Sequence, residues 1–319
     1  MTEQTPRNLL FHVTLPIAAD NIPSGPGSIR NSLSMSRELM NLIDKGHFPV
    51  KVPYPILARF RGFRYRKNSS WGIENMNEEL KNRLEQAHRI LHMEGLAEDA
   101  SRGHITAKSE AGLIYVKPWG MGFQDVRAGD LQGVDGEGRL MEGRGRIHSE
   151  LVLHLEIYRQ RPDVQSVIHV HPCYAVLLSS VFTGKIKTIS QQGVRFTGEI
   201  PFFTSAALIQ SREQAEHLAR TRGSQSVVLM KNHGITVAGE SVEEAVILAI
   251  HFEQAAKDHL LASLFGKPSG MLLAEAKKIS ANNYTPTQYQ MIWDYYWQKF
   301  KTSGGAGQVK PKLPTPGSL

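Results

Sequence analysis

The chain has 319 residues, 41% of them hydrophobic and 21% charged, which is a globular balance that excludes a disordered or fibrous protein. No run approaches the ~18 consecutive apolar residues of a membrane-spanning helix, and a single cysteine, Cys173, cannot close an internal disulfide. The first residues hold a short apolar stretch broken by His12 and Pro16, which does not read as a signal peptide, so a cytoplasmic location is expected.

Residues 1–75 lack a clean period and read as an N-terminal extension or arm. They hold Gly/Pro/Ser punctuation from Ile22 to Ser32, a short helical pattern at SRELMNLIDKG, and a basic stretch from Lys51 to Lys67. Tyr54, Phe60, Phe63 and Tyr65 interleave six Lys/Arg there. Basic residues mixed with aromatics can bind nucleic acid. With one short run and no recognisable motif, a solvated arm or a subunit contact is the better reading, and the net charge of +7 does not change it.

Leu80, Leu84, Ala87, Ile90 and Leu91 fall at helical spacing, which predicts an amphipathic helix over residues 77–95 with Gly95 as its C-cap. GHITAKSEAGLIYVKP alternates like a hairpin that turns at Glu-Ala-Gly. A helix follows from about Glu150 to Gln160, with Ser149 as the expected cap and Arg161-Pro162-Asp163 as its stop. QSVIHVHP is a β-branched run and reads as a strand; YAVLLSSV and SREQAEHLARTR read as helices. SVVLMKNHG is a second buried strand, and GITVAG continues it or turns back beside it. A long helix begins at the N-cap Ser241, with Glu244 as the capping-box partner. QYQMIWDYYWQKF is an aromatic helix suited to a core or an interface, and residues 303–319 read as a disordered tail.

Histidine carries the chemistry. Of 13 histidines, His12, His47, His88, His92, His217, His251 and His259 have no partner spacing and are expected on the surface. His169 and His171 stand two apart on a strand and so project from one face. His233 closes the second apolar strand, where Gly234 lets the backbone turn. Neutral imidazoles suit a first-row divalent ion, and three of them leave a coordination position open. Glu150 adds a carboxylate at a helix start, either as a fourth ligand or as a base. His154 lies one helical turn further on and reads as structural.

GHIT, KPWGMGFQDV, HSELVLHLEIYRQRPDVQSVIHVHP and LMKNHGITVAGESVEEAV together resemble the class II aldolase/adducin head family, over residues 77–265. The resemblance implies a three-layer α/β/α fold around a mainly antiparallel sheet, assembled as a homotetramer with sites at subunit boundaries. A catalytic domain over 76–265 is then followed by an aromatic helical segment over 266–302. The family's metal histidines fall on His169, His171 and His233, and its catalytic glutamate falls on Glu150. Retention of these four groups argues against the adducin-like scaffold, which lacks them. The sugar-phosphate aldolases hold phosphate with small hydroxyl and amide donors, where this chain has Gly103-His104, Trp119-Gly120 and His148-Ser149. His104, Trp119, Gly120, His148 and Ser149 are therefore expected to line a pocket for a flat or carboxylated substrate, with Arg102 and Arg146 nearby. In related aldolases a C-terminal tyrosine donates a proton; Tyr284, Tyr295 and Tyr296 are the candidates here, and the spacing does not choose among them.

The expected activity is a divalent-metal-dependent carbon–carbon lyase, with decarboxylation of a non-phosphorylated aromatic or hydroxy acid ahead of aldol cleavage. A non-haem iron oxygenase and a non-enzymatic scaffold are the rivals. Zinc is the favoured ion, because three histidines with an open position are its common catalytic set; manganese, iron, cobalt and nickel remain open.

Overall fold

The computed structural model describes residues 70–97 and 101–303, all within the compact unit Arg66–Leu319. Residues 1–69 of the N-terminal arm, with its basic stretch, His12 and His47, and the tail beyond 303 lie outside the described residues, while residues 70–75 belong to the first helix.

Eight strands form one sheet. They are β1 (His104–Lys108), β2 (Ile114–Val116), β3 (Gln132–Val134), β4 (Leu140–Glu142), β5 (Ser166–Val170), β6 (Phe202–Phe203), β7 (Val227–Met230) and β8 (Gly234–Gly239), in the order β4-β3-β2-β1-β5-β8-β7-β6. Every pairing is antiparallel except that of β6 with β7. Helices α1 (Ser70–Met93), α2 (Leu151–Gln160), α3 (Cys173–Val181), α4 (Arg212–Arg222), α5 (Val242–Leu264), α6 (Leu273–Asn283) and α7 (Pro286–Thr302) cover it. The expected three-layer α/β/α architecture is present.

The strand period of two explains the layers. On one face Ile105, Ile168, Val170, Leu229, Ile235 and Val237 pack with Leu84 and Leu91 of α1 and with Val246 and Phe252 of α5. On the other, Ile114, Val116, Val167, Val228 and Ala238 pack with Leu153 and Ile157 of α2 and Leu218 of α4. A sheet buried on both faces needs apolar residues at successive positions, which is why its central strands read as unbroken apolar runs. His104, Thr106, His169 and Thr236 share the α2 side, so four polar residues interrupt a largely apolar layer and require partners there.

Several local expectations are refined. Ser149 is not the cap of α2: Glu150 occupies that position and makes no side-chain cap, while Ser149 Oγ accepts from Gln210 Nε2. Ser241 does cap α5, but the Glu244 carboxylate reaches past it to the Glu240 N–H at 2.7 Å. His92 and His217 are exposed as expected. His88, by contrast, is fully buried in α1, bonded to the Leu84 carbonyl and edge-on to Phe123. His251 and His259 are half-buried, and His251 Nδ1 meets the Tyr284 hydroxyl at 2.8 Å. A histidine at a helical core position has no sequence mark of its burial. Among the described residues, no helix is long and apolar enough to cross a membrane.

Candidate active site

The site forms where β1 begins, β5 ends and the β7–β8 hairpin turns. Antiparallel register sets His104 opposite His169, and His169 opposite Thr236 on the other side. His171 lies just beyond the end of β5. Its backbone is fixed because the half-buried Glu253 carboxylate accepts the Tyr174 and Ala175 N–H groups, each at 2.8 Å, at the start of α3. The Asn-His-Gly turn supplies the third imidazole. Asn232 takes a left-handed φ of +51°, which asparagine tolerates, and its N–H is held by Ser179 Oγ. Gly234 is required by close approach: a Cβ there would stand 2.7 Å from His171 Cδ2 and closer still to the Val170 carbonyl oxygen.

His169, His171 and His233 consequently present nitrogen atoms that all lie within 4.8 Å of one another. His169 Nδ1 meets the Ile235 carbonyl and Thr236 Oγ1, both at 3.1 Å. Donation to that carbonyl puts the ring proton on Nδ1 and leaves Nε2 with its lone pair toward the other two rings. Its Nε2 and that of His171 are 3.1 Å apart, and the three ring centroids are 4.8–5.0 Å apart. Burial, with the neighbouring His171 and His233 adding to it, holds the His169 pKa well below that of free imidazole, so the ring is neutral and competent as a ligand. Converging nitrogens, a carbonyl fixing the tautomer and a neutral ring fit a divalent cation.

Glu150 stands beside this trio, its Oε1 3.9 Å from His233 Nε2. The same oxygen accepts the Ile209 N–H at 2.8 Å. Burial raises the Glu150 pKa, opposed by that N–H and by His171, which favours a carboxyl able to carry a proton. His104, His148 and Glu150 form a second close group, their ligand atoms also within 4.8 Å of one another. The His104 and His148 rings lie 4.1 Å apart. Burial lowers both pKa values, that of His148 to about 4 with the Lys117 charge contributing next.

The predicted pocket residues divide. His104 and His148 reach the site. Ser149 is exposed against Gln210, Gly120 sits at a left-handed φ of +83°, and Trp119 is exposed with the Arg146 guanidinium 4.5 Å over its ring. Among the tyrosines, Tyr284 bonds His251 and the Gln192 carbonyl, Tyr295 is exposed and Tyr296 is half-buried. Sequence reasoning missed Lys117, whose buried ammonium donates to the Ser101 and Met121 carbonyls, each at 2.8 Å, and charges this end of the sheet positively. It also missed Glu253. The only sequence signal for either was a charged residue in an apolar setting.

The model of the class II aldolase and adducin N-terminal domain matches residues 82–260. The chain belongs to that family. A 3,4-dihydroxyphthalate decarboxylase of Arthrobacter keyseri is 32% identical over 180 residues, 53% of this chain and 72% of that protein. The decarboxylase NovR of Streptomyces niveus is 29% identical over 179 residues, 54% of this chain and 66% of its own length. The solved L-fuculose 1-phosphate aldolase of Glaciozyma antarctica superposes with a TM-score of 0.64 at 23% identity, over 75% of this chain and 94% of that one, which shows the shared fold. As a class II aldolase superfamily member with decarboxylases and aldolases among its relatives, the chain is an enzyme.

Proposed function

We propose that this class II aldolase-type enzyme is a divalent-metal-dependent carbon–carbon lyase that decarboxylates a non-phosphorylated, carboxylated aromatic or hydroxy acid. The observation that carries the proposal is the convergence of His169, His171 and His233 with the Glu150 carboxyl beside them. The decarboxylase names of the relatives support the choice of reaction.

His169, His171 and His233 would hold the ion, with zinc favoured for an all-imidazole set that keeps a position open. When bound, such an ion supplies Lewis-acid stabilisation of the negative charge left as the carbon–carbon bond breaks. The chain's own residues do the rest. The Ile235 carbonyl and Thr236 Oγ1 hold His169 in one tautomer. The Ile209 N–H holds Glu150 Oε1, so Oε2 is the oxygen that delivers a proton to the carbon from which carbon dioxide has left. His104 and His148, near the Lys117 charge, orient the substrate carboxylate, with Trp119, Gly120 and Ser149 on the loops around them. The chemistry is flat-substrate chemistry, because imidazole rings replace the small donors that cradle a phosphate.

The reading carries with it a homotetramer in the cytoplasm. Leu264, Phe265 and Leu272 are each exposed around the α5–α6 junction, and exposed apolar side chains are of the kind such an assembly buries.

The test is metal content and turnover of the full chain purified without a histidine tag. About one divalent ion per chain, lost in His171→Ala, with carbon dioxide released from dihydroxyphthalate-type acids and abolished by chelation, is the expected result. Turnover that survives complete metal removal overturns it. Bound iron with substrate-linked oxygen consumption would replace it with the oxygenase, and failure to bind zinc, manganese or iron would leave a scaffold.

A further inference from the structure

Behind the site, four polar side chains form a buried line inside the α2-facing layer. The Tyr158 hydroxyl lies 2.8 Å from Thr106 Oγ1, Thr106 Oγ1 lies 2.8 Å from His154 Nδ1, and His154 Nε2 lies 2.7 Å from His104 Nδ1. The line ends at His104 Nε2, which is fully buried and has no hydrogen-bond partner among the described residues. His104 offers one ring nitrogen to the group with His148 and Glu150, and because Nδ1 is taken up by His154, Nε2 is the nitrogen left for the site. A buried ring nitrogen without a partner is costly, which marks the place where a ligand atom belongs.

The direction of the line decides what His104 offers. A phenol needs an acceptor for its proton, and Tyr158 has Thr106 at 2.8 Å, whereas the Gln165 carbonyl lies at 3.5 Å. Tyr158 therefore donates to Thr106. The Thr106 hydroxyl is left to donate onward to His154 Nδ1, which must be the bare nitrogen of that ring. The His154 proton then sits on Nε2 and is donated to His104 Nδ1, so the proton of neutral His104 sits on Nε2. Each donor in the line is used once, and the last one faces the site.

We propose that Tyr158, Thr106 and His154 act as positioning residues that lock His104 as an Nε2–H donor to a carboxylate of the substrate. The proposal rests on the lyase reading for its substrate, but the tautomer is a property of the protein alone. Without the line, His104 could place its proton on Nδ1 and turn a lone pair toward the incoming anion, so the device selects for an anionic oxygen and against a hydrogen-bond donor.

The test uses the full chain loaded with one equivalent of zinc, labelled with nitrogen-15 in its histidines, and compares wild type, Thr106→Val and Thr106→Ser. Phthalate serves as the carboxylate probe and catechol as a chelating probe that has no carboxylate. In the wild type the His104 proton is expected on Nε2. In Thr106→Val it is expected to move to Nδ1, with phthalate binding weakened roughly tenfold or more, catechol binding unchanged, and both effects reversed in Thr106→Ser. A wild-type His104 protonated on Nδ1 overturns the proposal, and this spectrum decides even if Thr106→Val does not fold. Equal loss of both probes in a folded Thr106→Val assigns the line a merely structural role and also overturns it. Failure of catechol to bind the wild type overturns the metal-site reading instead, and the tautomer spectrum separates the two failures.

Discussion

Alanine at position 234 would strike the site through backbone packing alone. The added Cβ would lie 2.7 Å from His171 Cδ2 and 3.2 Å from His171 Cα, with the Val170 carbonyl oxygen nearer than either. Relief to an ordinary 3.4 Å contact requires the His171 ring to move by 0.7 Å, and the Val170 carbonyl, a backbone group beside the β5–β8 pairing, has to move as well. Metal–ligand distances tolerate only about ±0.2 Å, so a displacement of that size takes His171 out of the coordination sphere it would share with His169 and His233. Overpacking a dense core costs about 1–3 kcal/mol in addition. The expected result for Gly234→Ala is a stable fold with a denaturation midpoint lowered by that amount and zinc affinity reduced at least ~100-fold, near the effect of losing a ligand. Competition titration against a chromophoric chelator, paired with urea denaturation of the metal-free protein, measures both. Wild-type zinc affinity in a Gly234→Ala protein destabilised by the expected amount would refute the argument, because the ligands would then not depend on this close approach.

Three further outcomes follow from the same geometry. Glu150→Gln keeps the Ile209 N–H bond to Oε1, so metal content should hold while kcat falls by about 10²–10⁴, read by carbon dioxide release. Thr236→Val removes one of two partners of His169 Nδ1 and leaves the Ile235 carbonyl, so zinc affinity should drop only toward the lower end of the roughly 10–100-fold range for outer partners of a ligand. Burial lowers the pKa of His88 to about 3, against 6.5 when the chain is unfolded. The unfolded state therefore binds that proton first, and the stability present above pH 6.5 is lost as pH falls toward 3, by up to about 1.4 kcal/mol per pH unit; the other buried histidines act in the same direction, so the gap between urea midpoints at pH 7 and pH 5 should narrow, not vanish, in His88→Gln.

Much of the fold was legible because burial on both faces of a sheet and on one face of a helix leaves a periodic record. The β1–β2 hairpin with its Glu-Ala-Gly turn, the capping of α5 by Ser241, and the stop of α2 at Arg161 are all local consequences of neighbouring residues. The cap that failed did so for a tertiary reason. Ser149 turns outward to Gln210, and Glu150 at the helix start is drawn to Ile209, 59 residues on. His88 looked like a surface residue because nothing local reports that α1 presents it to Phe123 across the core.

Within the site, the chain itself determined which residues of β5 share a face and where the Asn-His-Gly turn ends β7, since strand alternation and a left-handed residue such as Asn232 are set locally. Only the tertiary structure decided that His104 stands opposite His169, that His154 reaches across 50 residues to orient it, and that Glu253 pins the backbone beside His171. Register between strands and the docking of helices are long-range choices, made by the packing of both layers at once. The distances and tautomers on which the chemistry depends exist only after that packing is complete.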